Sequence, residues 1–374
     1  MTGDTGQVPQ TARSGLWARI KASPLAHLGP GLITGVADDD PSGIATYSQA
    51  GAQFGLNMLW TMPVAIPLTT AVQSMCARIG RVTGRGLAAN IRAAFPPWVL
   101  LGAVVLLVVA NTLNIAADVA AMGEVGELIT GIDRHVMTGG IVLTSLGLQV
   151  FVPYHRYVSY LKWLTVSLLA YAAVLVTVHV PWWEVLTHTV QPQFQFDGRA
   201  GAMIVAVFGT TISPYLFFWQ ASEEVEDLEA EPAGEPLLLA TGDAPAELRR
   251  IRWDTWSGMA YSATSAYFII LATAVTLNAS GLHDIDTAAQ AALALKPIAG
   301  PFAFLLFAVG ILGVGMIGVP VLAGCAAVFE CAVDSHQVAG DHVLFIGRVL
   351  RLADLSVAPL LFQGGHYRML GEIL

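Results

Sequence analysis

The chain carries three consecutive carboxylates inside an apolar stretch. Asp38, Asp39 and Asp40 precede a proline in the segment "GVADDDPSGIAT", residues 35–46. Proline removes a backbone donor and biases the residue before it away from helical angles, so we expect a helix break here. Carboxylates beside freed backbone carbonyls would form an oxygen-rich cage for a cation. The alternative is that Asp38 and Asp39 lie at a membrane surface while Asp40 caps the next helix.

A second interruption lies in another apolar run. The segment "FGTTISPYL", residues 208–216, groups Thr210, Ser213 and Tyr215 around Pro214. Paired interrupted helices at corresponding positions of two halves are the best sequence indication of a secondary-transporter site at the middle of the membrane.

A third polar group lies in "ANTLNIAADVA", residues 110–120. Asn111, Asn114 and Asp118 recur at spacings of three and four, so they share one helical face. We expect the two asparagines to form interhelical hydrogen bonds. For Asp118, a functional role and a structural role are both open.

Composition restricts the class of protein. The 374 residues are 55% hydrophobic and 12% charged, and the mean hydropathy is +0.63. Soluble domains carry about 25% charged residues, so the composition predicts an integral membrane protein. The three cysteines form no CxxC pair, which argues against a disulfide framework or a zinc site.

Eight apolar runs are long enough to cross a bilayer. They lie at residues 25–55, 57–77, 98–121, 136–153, 163–180, 201–221, 256–278 and 301–330. The first and last exceed 25 residues and contain glycine and proline, so we expect broken or tilted helices there.

Lysine and arginine in every second short loop predict a cytoplasmic N-terminus. Residues 1–24 are then a cytoplasmic tail, and their polar character shows no cleavable signal peptide. The acidic segment 222–255 also falls on the cytoplasmic side, where we predict a solvated, partly disordered linker.

Four segments resemble the Nramp family of divalent-metal transporters. "LGPGLITGVADDDPSGIATYSQAGAQFGLNMLW" resembles the first helix of that family, whose unwound motif is Asp-Pro-Gly-Asn. "GTTISPYLFFWQ" resembles its sixth helix, with the motif Ala-x-x-Met-Pro-His, and "QSMCARIGRVTGRG" and "IAADVAAMGEVGELI" resemble its second and third helices. The similarity runs from about residue 24 to residue 330.

This resemblance implies an all-α polytopic membrane protein with a LeuT-type inverted repeat. The first five-helix repeat would occupy residues 25–180, and residues 201–330 would supply helices 6–8 of the second. Residues 331–374 are an atypical C-terminal tail without a convincing span, so we expect the second repeat to be incomplete.

The resemblance also implies a metal site between broken helices one and six. Asp40 matches the metal aspartate, Gly43 stands where the motif has asparagine, and Ser213 stands where it has methionine. The backbone carbonyl of Thr210 replaces an alanine carbonyl that ligates metal. The predicted metal set is Asp40, Gly43, Thr210, Ser213, Asp39 and Ala37.

A proton or polar pathway is implied beside the metal set. Asp118 matches a proton-pathway aspartate, but Ala121 stands where the family has a glutamate, and Tyr215 stands where it has a histidine. Asn114 and Asp38 complete the predicted pathway. With imidazole and one carboxyl absent, we expect weak proton coupling or none.

The resulting hypothesis is a secondary transporter or uniporter of divalent metal cations in the plasma membrane. Oxygen ligands without sulfur or imidazole favour Mg²⁺ or Mn²⁺, and the lost methionine resembles the Nramp-related magnesium transporters. We expect a monomer in the lipid bilayer that is not an enzyme, needs no cofactor and binds no nucleic acid.

Three alternatives remain. The chain could be a truncated member of the family that does not transport, or an organic-substrate carrier of the same fold. An intramembrane prenyltransferase is disfavoured because no second acidic motif lies in a span.

Overall fold

A computed structural model of the chain divides into two compact units, Met1–Ala326 and Ala327–Leu374. In the first unit the structure describes residues 34–151 except 36, residues 172, 175, 178–193 and 197–230, and residues 234–326 except 286. In the second unit it describes the strands given below.

The described part of the first unit is helical. Its helices are α1 (Pro41–Phe54), α2 (Thr61–Thr83), α3 (Leu87–Ala94), α4 (Pro97–Thr130), α5 (Arg134–Phe151), α6 (Trp182–Val190), α7 (Gly198–Thr211), α8 (Pro214–Ala230), α9 (Ala244–Thr276) and α10 (Ala288–Ala326). Short 3-10 turns follow α1 at Gly55–Met58 and α9 at Asn278–Ser280. The predicted all-α class is confirmed for this unit.

The second unit contains two antiparallel hairpins. β1 (Glu330–Ala339) pairs with β2 (His342–Arg351), and β3 (Leu360–Gln363) pairs with β4 (His366–Met369). The predicted atypical tail therefore forms strands, not helix, in its described residues.

Three stretches of the described chain are long and apolar enough to cross a membrane. They are Pro97–Thr130, Gly198–Glu229 and Ala244–Ser280. The segments Pro41–Met58 and Thr61–Thr83 meet the criterion only together, bent by 112°, and would make a fourth. Most of the predicted fifth span, 163–180, lies outside the described residues, so the prediction of eight spans stays a prediction.

The breaks predicted in the first and sixth spans are present. α1 begins at Pro41, directly after Asp40, whose backbone is extended (φ −62°, ψ 165°). The sixth span divides between α7 and α8, where Ile212 leaves helical geometry (φ −106°, ψ 61°). α10 is interrupted at Gly300, whose φ of 88° suits glycine. That interruption lies one residue before the predicted start of the last span.

The prediction for residues 222–255 is wrong in most of the segment. Residues 222–230 continue α8 and residues 244–255 begin α9, so the connection comprises only residues 231–243. Pro245 lies in the first turn of α9, where its missing N–H costs no helical bond. The acidic side chain of Glu224, which we predicted to be solvated, is buried and hydrogen-bonded to Arg250 of α9. The charge of Glu224 is therefore neutralised by a neighbouring helix.

Close packing places α1 against α9 and α2 against α8. A Cβ on Gly51 of α1 would collide with the carbonyl oxygen of Ile270 on α9, and one on Gly80 of α2 would collide with that of Ala221 on α8. Only glycine allows backbones to approach this closely. The two helix breaks are therefore held inside a packed bundle.

Candidate metal centre

At each helix break a proline removes the helical donor of one carbonyl. In an α-helix the carbonyl of residue i accepts from the N–H of residue i+4. For Ala37 and Thr210 that residue is a proline, Pro41 or Pro214, which has no N–H. Both carbonyls belong to the predicted metal set.

The two breaks lie against each other. A Cβ placed on Gly43 would come within 3.3 Å of both the Asp40 Oδ1 and the Thr210 Oγ1 atoms. The hydroxyl of Tyr215, at the start of α8, lies 3.0 Å from the Ala37 carbonyl oxygen and 3.4 Å from Asp40 Oδ2. Residues from both interrupted spans therefore surround the Asp40 carboxylate.

Asp40 is both the N-cap of α1 and the acid of this cluster. Its Oδ1 accepts from the Gly43 N–H and from the Ser42 hydroxyl, each at 2.7 Å. Its Oδ2 accepts from Asn114 Nδ2 at 3.3 Å. The capping alternative is right for Asp40, and the ion-binding hypothesis stays compatible with it because a carboxylate has further lone pairs.

Asp38 and Asp39 are buried but have a different partner. The Ser262 hydroxyl of α9 lies 2.8 Å from Asp38 Oδ2 and 3.2 Å from Asp39 Oδ1. One hydroxyl proton can serve only one of these acceptors at a time. Neither residue is exposed on the surface of the protein, since each is at most 1% exposed.

The side chain of Asp39 therefore contacts α9, and among the described residues it shares no hydrogen-bond partner with Asp40. Asp38 Oδ1 and Asp39 Oδ2 have no hydrogen-bond partner among the described residues. Ser262 was not predicted, because no proline, charge or motif in the sequence marks it.

The predicted polar face of α4 is turned into the bundle. Asn111 Nδ2 donates to the Leu322 carbonyl of α10 at 3.0 Å, and Asn114 bonds to Asp40. Asp118 Oδ1 accepts from the Ser42 N–H at 2.9 Å, in the first turn of α1. The expected interhelical hydrogen bonds of both asparagines are present.

A cavity of about 610 Å³ opens beside the cluster. Its polar lining includes Ser42, Asn111, Asn114, Thr210, Ser213 and Tyr215. A water molecule takes about 30 Å³ of liquid volume, so a hydrated ion fits.

The chemistry of the centre is that of an oxygen site with one carboxylate. Among the residues that the structure describes, no three histidine, cysteine, aspartate or glutamate side chains converge on a common point. Carbonyl, hydroxyl and amide oxygens around Asp40 suit a hard cation that retains part of its water shell.

Four charged residues form a separate cluster between α2, α8 and α9. Arg81 NH2 lies 3.1 Å from Glu247 Oε2, and Arg250 Nε lies 2.9 Å from the same oxygen. Arg250 also pairs with Glu224, which is fully buried. We call these four residues the ion-pair network. Sequence reasoning missed it, although the i,i+3 spacing of Glu247 and Arg250 was a helical signal.

The fold is similar to that of a manganese transporter from Eremococcus coleocola. The TM-score is 0.65 at 17% sequence identity, and the match covers 86% of this chain and 68% of that one. At this identity the likeness shows the fold alone, and it confirms the predicted LeuT-type architecture. The incompleteness of the second repeat stays a prediction.

Curated relatives share more of the sequence. The divalent metal cation transporter MntH of Acidiphilium cryptum is 29% identical over 309 residues, covering 79% of this chain and 66% of the relative. MntH of Verminephrobacter eiseniae is 33% identical over 204 residues, covering 52% of this chain and 45% of the relative. The chain thus spans two thirds or less of the length of these relatives.

The relatives are named as transporters and not as enzymes, in agreement with the prediction that the chain is no enzyme and uses no cofactor. The family described as natural resistance-associated macrophage protein-like matches residues 31–356, most of the sequence. The chain is an integral membrane protein that belongs to the Nramp family.

Proposed function

We propose that the chain binds a divalent metal cation between its two helix breaks and carries it across the cell membrane. The observation that carries this proposal is that residues of the second break meet the Asp40 carboxylate: the Tyr215 hydroxyl lies between the proline-freed Ala37 carbonyl and Asp40 Oδ2, and the Thr210 Oγ1 and Asp40 Oδ1 atoms both lie within 3.3 Å of a Cβ placed on Gly43. The names of the relatives as divalent metal cation transporters support it.

The proposed ions are Mg²⁺ and Mn²⁺. Ser213 offers a hydroxyl where a thioether would favour soft metals, so ligand softness gives Cd²⁺ no advantage over Mg²⁺. The cavity supports transport of an ion that keeps several waters, as Mg²⁺ does.

The proposed carrier is a monomer in the plasma membrane with a cytoplasmic N-terminus. The membrane potential would then drive entry with about 4.6 kcal/mol for a divalent ion at 100 mV. Because Tyr215 and Ala121 stand where relatives carry a proton relay, we propose weak proton coupling or none. Proteoliposomes that contain a pH dye and a metal indicator test this, and internal acidification that matches metal influx would contradict it.

The decisive experiment separates ion binding from helix capping. Asp40→Asn keeps a side chain that can cap α1 but removes the negative charge. Asp197→Asn is the matched control, because Asp197 caps α7 through a 2.7 Å bond from the Ala200 N–H. We expect Asp40→Asn to abolish metal uptake into cells or proteoliposomes and Asp197→Asn to retain it, with both variants expressed.

Equal uptake by wild type and Asp40→Asn would remove the proposal. The two alternatives predict other results: a non-transporting member would bind metal without uptake, and an organic-substrate carrier would bind no metal. The buried acids disfavour an anionic organic substrate, which they would repel.

A further inference from the structure

We propose that the Tyr215 hydroxyl is a built-in placeholder for the cation, which the arriving ion must displace. This inference rests on the proposed function and adds a residue that sets affinity and release.

The position of the hydroxyl is the first observation. It lies 3.0 Å from the Ala37 carbonyl oxygen and 3.4 Å from Asp40 Oδ2, between two of the proposed ligands. The Tyr215 side chain is 3% exposed, so water does not compete freely for these acceptors. A cation coordinated by both oxygens would therefore lie close to the position of the Tyr215 hydroxyl.

The charge of the hydroxyl hydrogen is the second observation. The Ala37 carbonyl lacks a helical donor because residue 41 is proline, and a buried carbonyl without a partner is costly. The positive end of the Tyr215 O–H dipole satisfies it in the ion-free protein. A bound cation would satisfy the same oxygen more strongly, so the hydrogen must turn away from it.

The freed carbonyl of the sixth-span break also accepts a hydrogen bond from a hydroxyl. The Ser213 hydroxyl donates to the Thr210 carbonyl oxygen, whose helical donor is missing because residue 214 is proline. Both freed carbonyls are therefore bonded to hydroxyls of the same short segment, residues 213–215. Ion binding exchanges a hydrogen-bonded state of this segment for a coordinated one.

The placeholder lowers affinity, because its hydrogen bond is lost when the ion binds. Tyr215→Phe removes that bond from the ion-free state and should tighten Mg²⁺ and Mn²⁺ binding roughly two- to tenfold, the equivalent of one ordinary hydrogen bond. If the hydroxyl were instead a retained metal ligand, the same variant would weaken binding. The sign of the change separates the two roles.

The test is calorimetric titration of MgCl₂ and MnCl₂ into the purified full chain. Tyr267→Phe is the matched control, since the Tyr267 hydroxyl bonds to Thr189 at 2.8 Å, outside the site. We expect tighter binding only in Tyr215→Phe. Tyr215→Leu also lacks the hydroxyl and replaces the phenylalanine variant if that variant does not fold.

Unchanged or weaker binding in the hydroxyl-free Tyr215 variants, with wild-type binding intact, overturns the placeholder but not the proposed function. Equal tightening in Tyr267→Phe also overturns it, because the effect would then be general. Failure of the wild type to bind either ion refutes the proposed function itself.

Discussion

Two clusters of charged side chains in the described part of the helical unit are organised in opposite ways. In the ion-pair network, Glu224 and Glu247 both contact Arg250, and Arg81 adds a second cation. In the aspartate triplet, residues 38–40, the described contacts are hydroxyl, amide and backbone donors without a cationic side chain.

The presence or absence of a cationic partner indicates whether a cluster has a structural role or an ion-binding role. A buried charge is tolerated when it is paired or binds an ion. The network is neutralised internally and can hold three helices together without a ligand. Among the residues that the structure describes, the triplet has no cationic side chain as a partner, and such an arrangement is suited to a cation supplied from outside.

The largest expected effect on stability comes from breaking the network. Arg250→Met leaves the buried Glu224 without this cation, and because Arg250 itself is 33% exposed the cost should be somewhat below the roughly 3 kcal/mol of a fully buried pair. We expect a thermal midpoint several degrees lower, measured by the unfolding of the purified protein in detergent.

The control for this change is Arg134→Met. Arg134 is 55% exposed and lies 3.8 Å from Glu124, and such surface pairs contribute about 1 kcal/mol at most. If the thermal midpoint falls equally in both variants, the ion-pair network stabilises the protein no more than the surface pair does. Both variants should retain the metal affinity of the wild type.

An acid-to-amide change should have opposite signs in the two clusters. Glu224→Gln removes a charge that is paired with Arg250 and should lower the thermal midpoint. Asp39→Asn removes a charge whose one hydrogen-bond partner among the described residues is the shared Ser262 hydroxyl. It should therefore stabilise the metal-free protein by about 1–2 kcal/mol and raise its thermal midpoint. Loss of stability in Asp39→Asn would contradict the comparison.

The smallest expected effect concerns the selectivity of the proposed metal site for Cd²⁺ over Mg²⁺. Ser213→Met introduces a thioether beside the Thr210 carbonyl and should shift the ratio of Cd²⁺ to Mg²⁺ affinity towards Cd²⁺, by about tenfold. Competition between the two ions measures this ratio in one preparation. A wild type that already prefers Cd²⁺ strongly would refute the oxygen-site argument.

Local chemistry explains which parts of the structure could be predicted. The breaks at Asp40 and Ser213 followed from Pro41 and Pro214, because proline acts on its immediate neighbours. The inward face of α4 followed from helical spacing alone. The two interrupted apolar runs indicated the pairing of the breaks, and the resemblance to a known family added the expectation that a metal binds between them.

Other features depended on contacts between distant residues. Ser262 meets Asp38 across 224 positions of sequence, and no local pattern predicts that contact. Segment 222–255 was predicted to be solvated from its acidic composition, but two of its acids, Glu224 and Glu247, form ion pairs with Arg250 and Arg81 in the folded chain. Composition alone cannot distinguish a paired acid from a hydrated one.

The most direct test of the metal site is calorimetric titration of Mg²⁺, Mn²⁺ and Cd²⁺ into the wild type, Asp40→Asn and Asp197→Asn. We predict binding of Mg²⁺ and Mn²⁺ to the wild type and to Asp197→Asn, and affinity about 100-fold lower or undetectable in Asp40→Asn. Equal affinity in wild type and Asp40→Asn, or no binding to the wild type, would contradict the assignment of the metal site to the two helix breaks.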